Sequence, residues 1–268
     1  MKVAAVVADL DGTVVRSDFS MSIATEQALD TIRAAGIPMV IATARTPPGV
    51  EFLLGPRDSI ELAVCCSGAI GWDRSSKARV WLEMIAPDTV RTVVDTALAH
   101  AAGVAGYDGE VWRMTAEYDR LSPDQPRGPI RSVVDPADLA RSPCCTMALR
   151  HAGGDIWKLA DAMAVTSPSA ALSHVGRSTV LDITGSGIDK GTGACRALAT
   201  LGVDPQSAIS FGDMPNDLPL FRATGRAYAV GEADAAVTAA AHEVLGDVEH
   251  DGFARKIAEL AAAGWVID

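Results

Sequence analysis

The chain has 268 residues and a formal net charge of −11, with 49% apolar and 21% charged side chains. That length carries one large domain or two modest ones with real hydrophobic cores, and the composition excludes a disordered chain. The acidic balance excludes a generic grip on nucleic acid or on an anionic membrane, yet leaves room for a small anionic substrate held by a few local cations.

Residues 3–8 form a continuous apolar, β-branched run, as expected of a strand buried on both faces of a parallel sheet. Residues 23–35 repeat at helical spacing, with Gly36 as a stop and Pro38 beyond it. Strands follow at 38–42 and 62–66. The same rhythm returns late in the chain: strands at 180–183, 208–211 and 228–230, and helices at 190–201, 218–223, 233–241 and 252–263. Strands alternating with helices predict an α/β fold with a doubly wound, Rossmann-like parallel sheet. The middle of the chain differs. It offers an amphipathic helix at 87–101, a hairpin about Gly106–Gly109, a Pro- and Gly-rich stretch over 122–143, a strand at 146–150 and a helix at 156–164. This reads as an α+β insert, dividing the chain into a core of 1–80 and 180–268 and a cap of 81–179.

No stretch approaches the roughly 18 apolar residues of a membrane span. The opening apolar run ends at Asp9, too short for a signal-peptide core. Five cysteines, four of them in adjacent pairs, make a poor disulfide or metal framework. A reduced, cytoplasmic setting is therefore expected.

Four short motifs carry chemistry, each beside a predicted strand or helix end. Asp9-Leu10-Asp11-Gly12-Thr13 follows the first strand, where ligands bind in open α/β sheets. Two carboxylates at i and i+2 suit an attacking group paired with a proton donor, and Gly12 permits a tight turn. The competing reading is an ordinary Asx turn or helix cap. Thr43 follows the second strand, where it is either a phosphoryl-binding hydroxyl or a cap. Lys190, one of only five lysines, opens a predicted helix against the macrodipole and so calls for an anionic partner, although a solvated surface lysine is the simpler reading of that residue alone. Gly212-Asp213-Met214-Pro215-Asn216-Asp217 follows the 208–211 strand, and its carboxylates are the hard oxygen donors that Mg²⁺ prefers.

Taken together, these motifs resemble those of the haloacid dehalogenase superfamily phosphatases, specifically the Cof-like subfamily with a class IIB cap. Thr43-Ala44-Arg45, Ser67-Gly68-Ala69, Gly231-Glu232-Ala233 and Asp251-Gly252-Phe253-Ala254 resemble further subfamily signatures, with Ala44 in place of Gly, and Ser67 and Glu232 each in place of Asn. The resemblance covers residues 1–80 and 180–268. It implies Asp9 as nucleophile, Asp11 as general acid and base, and Lys190 as the charge-neutralising cation. It implies phosphate binding by Thr43, Ala44, Gly12 and Asn216, and substrate-side positions at Arg45, Ser67 and Gly68. Mg²⁺ would be held by Asp9, the backbone carbonyl of Asp11, and Asp213, with Asp217 behind a metal-bound water. The implied partner is a small phosphorylated metabolite such as a sugar phosphate, with flavin mononucleotide or pyridoxal phosphate within the subfamily's range. A sugar phosphomutase and a non-catalytic phospho-ligand sensor are the alternatives. The insert falls after the third strand, and Tyr107, Trp112, Arg113 and Tyr118 stand as cap-lining or cap-core residues.

Overall fold

The computed structural model describes residues 1–57, 59–122, 130–153, 156–167, 169–175 and 178–267. The first part of the chain runs β1 (Ala5–Ala8), α1 (Ile23–Ala34), β2 (Met39–Ala42), α2 (Pro47–Leu54), β3 (Leu62–Cys65), β4 (Ile70–Asp73) and β5 (Ala78–Leu82). The middle runs α3 (Pro87–Ala99), β6 (Gly103–Tyr107), β7 (Val111–Met114), α4 (Ala116–Arg120), β8 (Ile130–Val133), α5 (Pro136–Leu139), β9 (Thr146–Arg150), α6 (Ile156–Thr166), β10 (Ala171–Val175) and β11 (Ser178–Ile183). The last part runs α7 (Lys190–Thr200), β12 (Ala208–Gly212), α8 (Leu218–Ala223), β13 (Arg226–Val230), α9 (Ala235–Ala240), β14 (Glu243–Leu245) and α10 (Gly252–Ala262). Part of the expected Pro- and Gly-rich stretch, 123–129, lies outside the described residues.

The strands form two sheets. One has eight strands in the order β14-β13-β12-β1-β2-β3-β4-β5, and the other has six in the order β10-β11-β9-β6-β7-β8. From β14 through β3 neighbouring strands are parallel, while β4 and β5 add an antiparallel hairpin. Alternation along each strand loads both faces of the eight-stranded sheet. Val6 and Ala8 of β1, with Met39 and Ile41 of β2, join residues of α1 and α10 in one apolar cluster. Ala5, Val7, Val40 and Ala42 point the other way and join Ala194, Ala197 and Leu198 of α7. This is the doubly wound α/β core expected from the strand–helix rhythm.

The strand at 178–183 departs from expectation. Instead of entering the core sheet, β11 pairs antiparallel with β9 and β10 in the six-stranded sheet. An apolar run such as Val180-Leu181 suits either sheet, and only the non-local pairing decides. The chain thus crosses between sheets after Leu82 and returns after Ile183. The two crossing segments lie side by side, since a Cβ on Gly185 would stand 3.4 Å from the Met84 carbonyl oxygen. Tyr107 and Cys145 of the six-stranded part are buried in the same cluster as β1, β2 and β3, which seats that part on the core.

Helix α2 has no counterpart in the sequence reading. Its Pro47 and Pro48 resemble loop text, but proline is tolerated in a first turn, where N–H groups have no intrahelical acceptor. Thr46 caps it, its hydroxyl accepting from Gly49 N–H at 3.4 Å. No helix among the described residues is long and apolar enough to cross a membrane.

Candidate active site

β1 lies between β12 and β2, so the chain ends leaving these strands converge at the carboxyl edge where the strand order changes direction. Asp9 leaves β1, Asp213 leaves β12, Thr43 leaves β2 and Ser67 follows β3. Lys190 opens α7, whose preceding residue Asp189 caps it through a reciprocal pair of bonds with Thr192.

Lys190 is completely buried. Its Nζ lies 2.9 Å from Asp9 Oδ1 and donates to Asp217 Oδ1 at 2.7 Å. Removal from water opposes its charge, but Asp217 and Asp9 outweigh that and raise its pKa. The cation that the sequence placed unfavourably against the helix dipole thus has two anionic partners. Asp217 is occupied on both oxygens, because Oδ2 accepts the N–H groups of Asp213 and Met214 at 3.0 Å each. It therefore fixes Lys190 and the Asp213 turn from behind, and Lys190 takes its orientation from Asp217. Gly212 makes room for that carboxylate; a Cβ there would stand 2.5 Å from Asp217 Cγ.

The Asp9–Thr13 turn closes over the same point. Gly12 has φ +79°, and a Cβ there would lie 2.6 Å from Asp213 Oδ2. Thr13 Oγ1 donates to Asp213 Oδ1 at 3.0 Å. Burial, opposed by Lys190 and reinforced by Asp217 and Asp11, pushes Asp9 up to about 7. Burial, then the charges of Asp9 and Asp217, raises Asp213 well above the usual carboxylate range. Asp9, Asp213 and Asp217 each offer an oxygen within 4.8 Å of the others, a spacing that fits a hard divalent cation.

Asp11 is held differently. Arg45 grips it with two parallel bonds, Nε to Oδ2 and Nη2 to Oδ1, both 2.6 Å, with each side chain buried. The Arg45 guanidinium also lies 5.0 Å from the Phe19 ring centroid. Arg45, expected on the substrate side, therefore has the general-acid candidate as its direct partner. Thr43 Oγ1 accepts from Arg45 N–H at 3.1 Å, and the Thr43 carbonyl accepts from Ser67 N–H at 2.9 Å, so the ends of β2 and β3 are tied together.

Ser67 sits at φ +51° with a buried Oγ that has no partner, and both polar atoms of the buried Asn216 side chain are likewise unpartnered. Together with Lys190 they border a cavity of about 260 Å³ whose other wall comes from Ser169, Asp182 and Thr184. Gly68 brings this loop against α7, since a Cβ there would lie 2.1 Å from the Asp189 carbonyl oxygen. Tyr107, Trp112, Arg113 and Tyr118 do not line the cavity. Tyr107 and Trp112 pack on each other at 5.3 Å, Arg113 pairs with Asp108 at 2.5 Å, and Tyr118 is buried beside Met114 and Ala148. Sequence reasoning missed Asp182. Its signal was a lone acid among the apolar residues Val180, Leu181 and Ile183.

A family model for haloacid dehalogenase-like hydrolases matches residues 6–257. Pyridoxal phosphate phosphatase YbhA of Escherichia coli (strain K12) is 24% identical over 93% of this chain and 95% of its own. A phosphoglycolate phosphatase of Halorubrum lacusprofundi is 39% identical over 28% of this chain, and the chain spans about a third of that relative's length. A solved sugar phosphatase of HAD subclass IIB superposes with a TM-score of 0.81, covering 98% of this chain and 100% of that one at 18% identity. The match of motif, fold and nearly the whole chain agrees with the resemblance seen in the four motifs, and the chain belongs to the haloacid dehalogenase-like hydrolases.

Proposed function

We propose that the chain is a Mg²⁺-dependent phosphatase of small phosphorylated metabolites, a sugar phosphate or similar ester, acting through an aspartyl-phosphate on Asp9. The observation that carries this reading is the placement of Asp9: one oxygen is held by Lys190, Asp213 stands beside it, and Asp11 is two residues on. Full-length similarity to a pyridoxal phosphate phosphatase supports the same reaction class.

One Asp9 oxygen is held by Lys190. The other attacks phosphorus, forming a new O–P bond as the ester O–P bond breaks. Asp11 gives its proton to the departing alkoxide and then takes one from the water that attacks the aspartyl-phosphate, releasing inorganic phosphate and restoring Asp9. Arg45 holds Asp11 in one orientation at rest, and one of its two bonds gives way when that oxygen carries the proton. Lys190 neutralises charge on Asp9 and on the transferring group, while Thr43, Ala44, Gly12 and Asn216 surround the phosphoryl oxygens. Asp9, Asp213 and the carbonyl of Asp11 would hold Mg²⁺, backed by Asp217. When bound, the ion offsets the charge of the phosphoryl oxygens. The six-stranded cap excludes water from the chemistry.

The test is Asp9→Asn. Turnover of p-nitrophenyl phosphate should vanish while far-ultraviolet circular dichroism stays unchanged. A fully active variant overturns the assignment.

A further inference from the structure

Four of the five cysteines stand in two adjacent pairs, one beside each sheet: Cys65 ends β3 and Cys66 follows it, while Cys144 and Cys145 precede β9. The side chains of the second pair point apart. Cys144 packs inside the second sheet's own apolar cluster, where a Cβ on Gly106 would stand 2.4 Å from its Sγ. Cys145 turns the other way and is buried with residues of β1, β2 and β3, in the cluster that contains Cys66. There the Cys66 and Cys145 thiols meet as hydrogen-bond partners across the boundary between the sheets. Both backbones are anchored: Cys66 N–H donates to the Arg45 carbonyl at 2.9 Å, and Cys145 N–H donates to the Tyr107 carbonyl at 2.7 Å. Cys66 and its neighbour Ser67, which borders the cavity, both hold positive φ, +52° and +51°. Two successive side chains in the left-handed region are costly to keep, so this bend persists only while its surroundings hold it. A small apolar group would fill the place of either thiol, but two sulfurs in contact can also share a bond.

We propose that Cys66 and Cys145 are a redox modification site, at which a small disulfide such as oxidised glutathione drives a Cys66–Cys145 bond that staples the Ser67 bend to the start of β9. The Cys66 thiolate attacks one sulfur of the small disulfide, forming a mixed disulfide and expelling a small thiolate. The Cys145 thiolate then attacks the Cys66 sulfur, and a second small thiolate leaves. Two electrons pass from the protein to the small disulfide, and the two cysteine protons end on the two released thiols. Burial, then the Cys145 contact, holds the Cys66 thiol well above its ordinary pKa, so little thiolate exists while the sheets are packed together. Oxidation therefore waits on local opening of the bend, and the site answers sustained oxidising conditions rather than brief ones. Once made, the bond fixes the neighbour of Ser67 to the sheet that supplies the opposite cavity wall. An ester must then enter that cavity, and its product leave, without relative movement of the walls, so turnover falls. The staple also closes a long loop of chain, which restricts the unfolded ensemble. The modification goes beyond the phosphatase reading, since bond formation needs only the two thiols.

In the experiment the reduced full chain is incubated with excess oxidised glutathione, remaining thiols are blocked, and the protein is digested without reductant for mass mapping. The expected product is a peptide pair joined through Cys66 and Cys145, with two hydrogens lost from the intact mass. The oxidised protein should melt about 5 °C or more above the reduced one. It should also lose most of its turnover of p-nitrophenyl phosphate, and dithiothreitol should reverse all of these changes. Cys145→Ala should show none of them, whereas Cys144→Ala, the adjacent control, should show them all. Should Cys145→Ala fail to fold, the wild-type map and its reversal by dithiothreitol still decide. Thiols that stay reduced through the incubation, or bonds that do not join Cys66 to Cys145, overturn the proposal. So does a Cys66–Cys145 bond that leaves the melting temperature, or the turnover of an active chain, unchanged. If the reduced chain turns over nothing, the phosphatase reading fails, and the map and the melting temperature decide the staple on their own.

Discussion

Arg45 and Asp11, 34 residues apart, share two hydrogen bonds of 2.6 Å in a buried setting. Lysine in place of Arg45 keeps the charge but cannot make both bonds in one plane. Arg45→Lys should lower kcat on an alkyl phosphate by about tenfold or more, the scale of a lost general acid–base contact. With p-nitrophenyl phosphate, whose leaving group needs little help from a proton donor, the loss should be several-fold smaller. Equal losses on both substrates would remove Asp11 orientation from the role of Arg45.

Lys190 is the counter-charge for a crowded acidic site. Lys190→Met should abolish turnover and destabilise the metal-free protein by about 3–5 kcal/mol, as when one partner of a buried ion pair is lost. The deficit should shrink at acid pH, where protonation relieves the carboxylates. Urea unfolding at pH 5 and pH 8 checks both statements. A deficit that is the same at both values contradicts them.

Mg²⁺ should raise the melting temperature. Chelation should silence activity reversibly. A ligand at a hundred times its Kd stabilises the fold by about 2.7 kcal/mol. Asp213→Asn should remove most of that gain, and a calorimetric scan with and without the ion measures it. Identical stabilisation of variant and wild type would place the ion elsewhere. Gly12→Ala should act on the same turn, because its Cβ would press on Asp213 Oδ2.

The pH dependence of stability should carry the mark of Asp182. Its pKa rises from 3.8 to about 7 on folding, largely through burial. Between those values the folded chain holds a proton that the unfolded chain has released, so this group costs stability as pH rises through that window. Asp182→Asn removes the effect. Its stability relative to wild type should therefore climb between pH 4 and pH 7, by on the order of 3 kcal/mol. Unfolding midpoints of both proteins across that range provide the measurement. A flat difference would show that Asp182 ionises normally.

The strand-end motifs were readable because each is local. Asp9 and Asp11 are two residues apart, Asn216 and Asp217 are adjacent, and all follow apolar runs that can only be buried strands. Pairings across the chain were not readable. Nothing local tells that Arg45 reaches Asp11, that Lys190 is shared between Asp9 and Asp217, or that the apolar run ending at Ile183 belongs to the second sheet. Helix α2 was hidden by a proline pair that suits a loop and a first helical turn equally. Asp182 was hidden because a single acid in a strand has no spacing to recognise, and its meaning comes only from the face on which the sheet places it.

The two segments joining core and cap meet at Met84 and Gly185, with the glycine close to the methionine carbonyl. Two linkers held side by side at this point oppose sliding and twisting of one sheet against the other, and the burial of Tyr107 and Cys145 among core residues adds a second point of attachment. Ser67 and Lys190 belong to the first sheet's side, since Gly68 is packed on the Asp189 carbonyl, whereas Asp182 belongs to the second, so the cavity they border together keeps its shape only while both attachments hold.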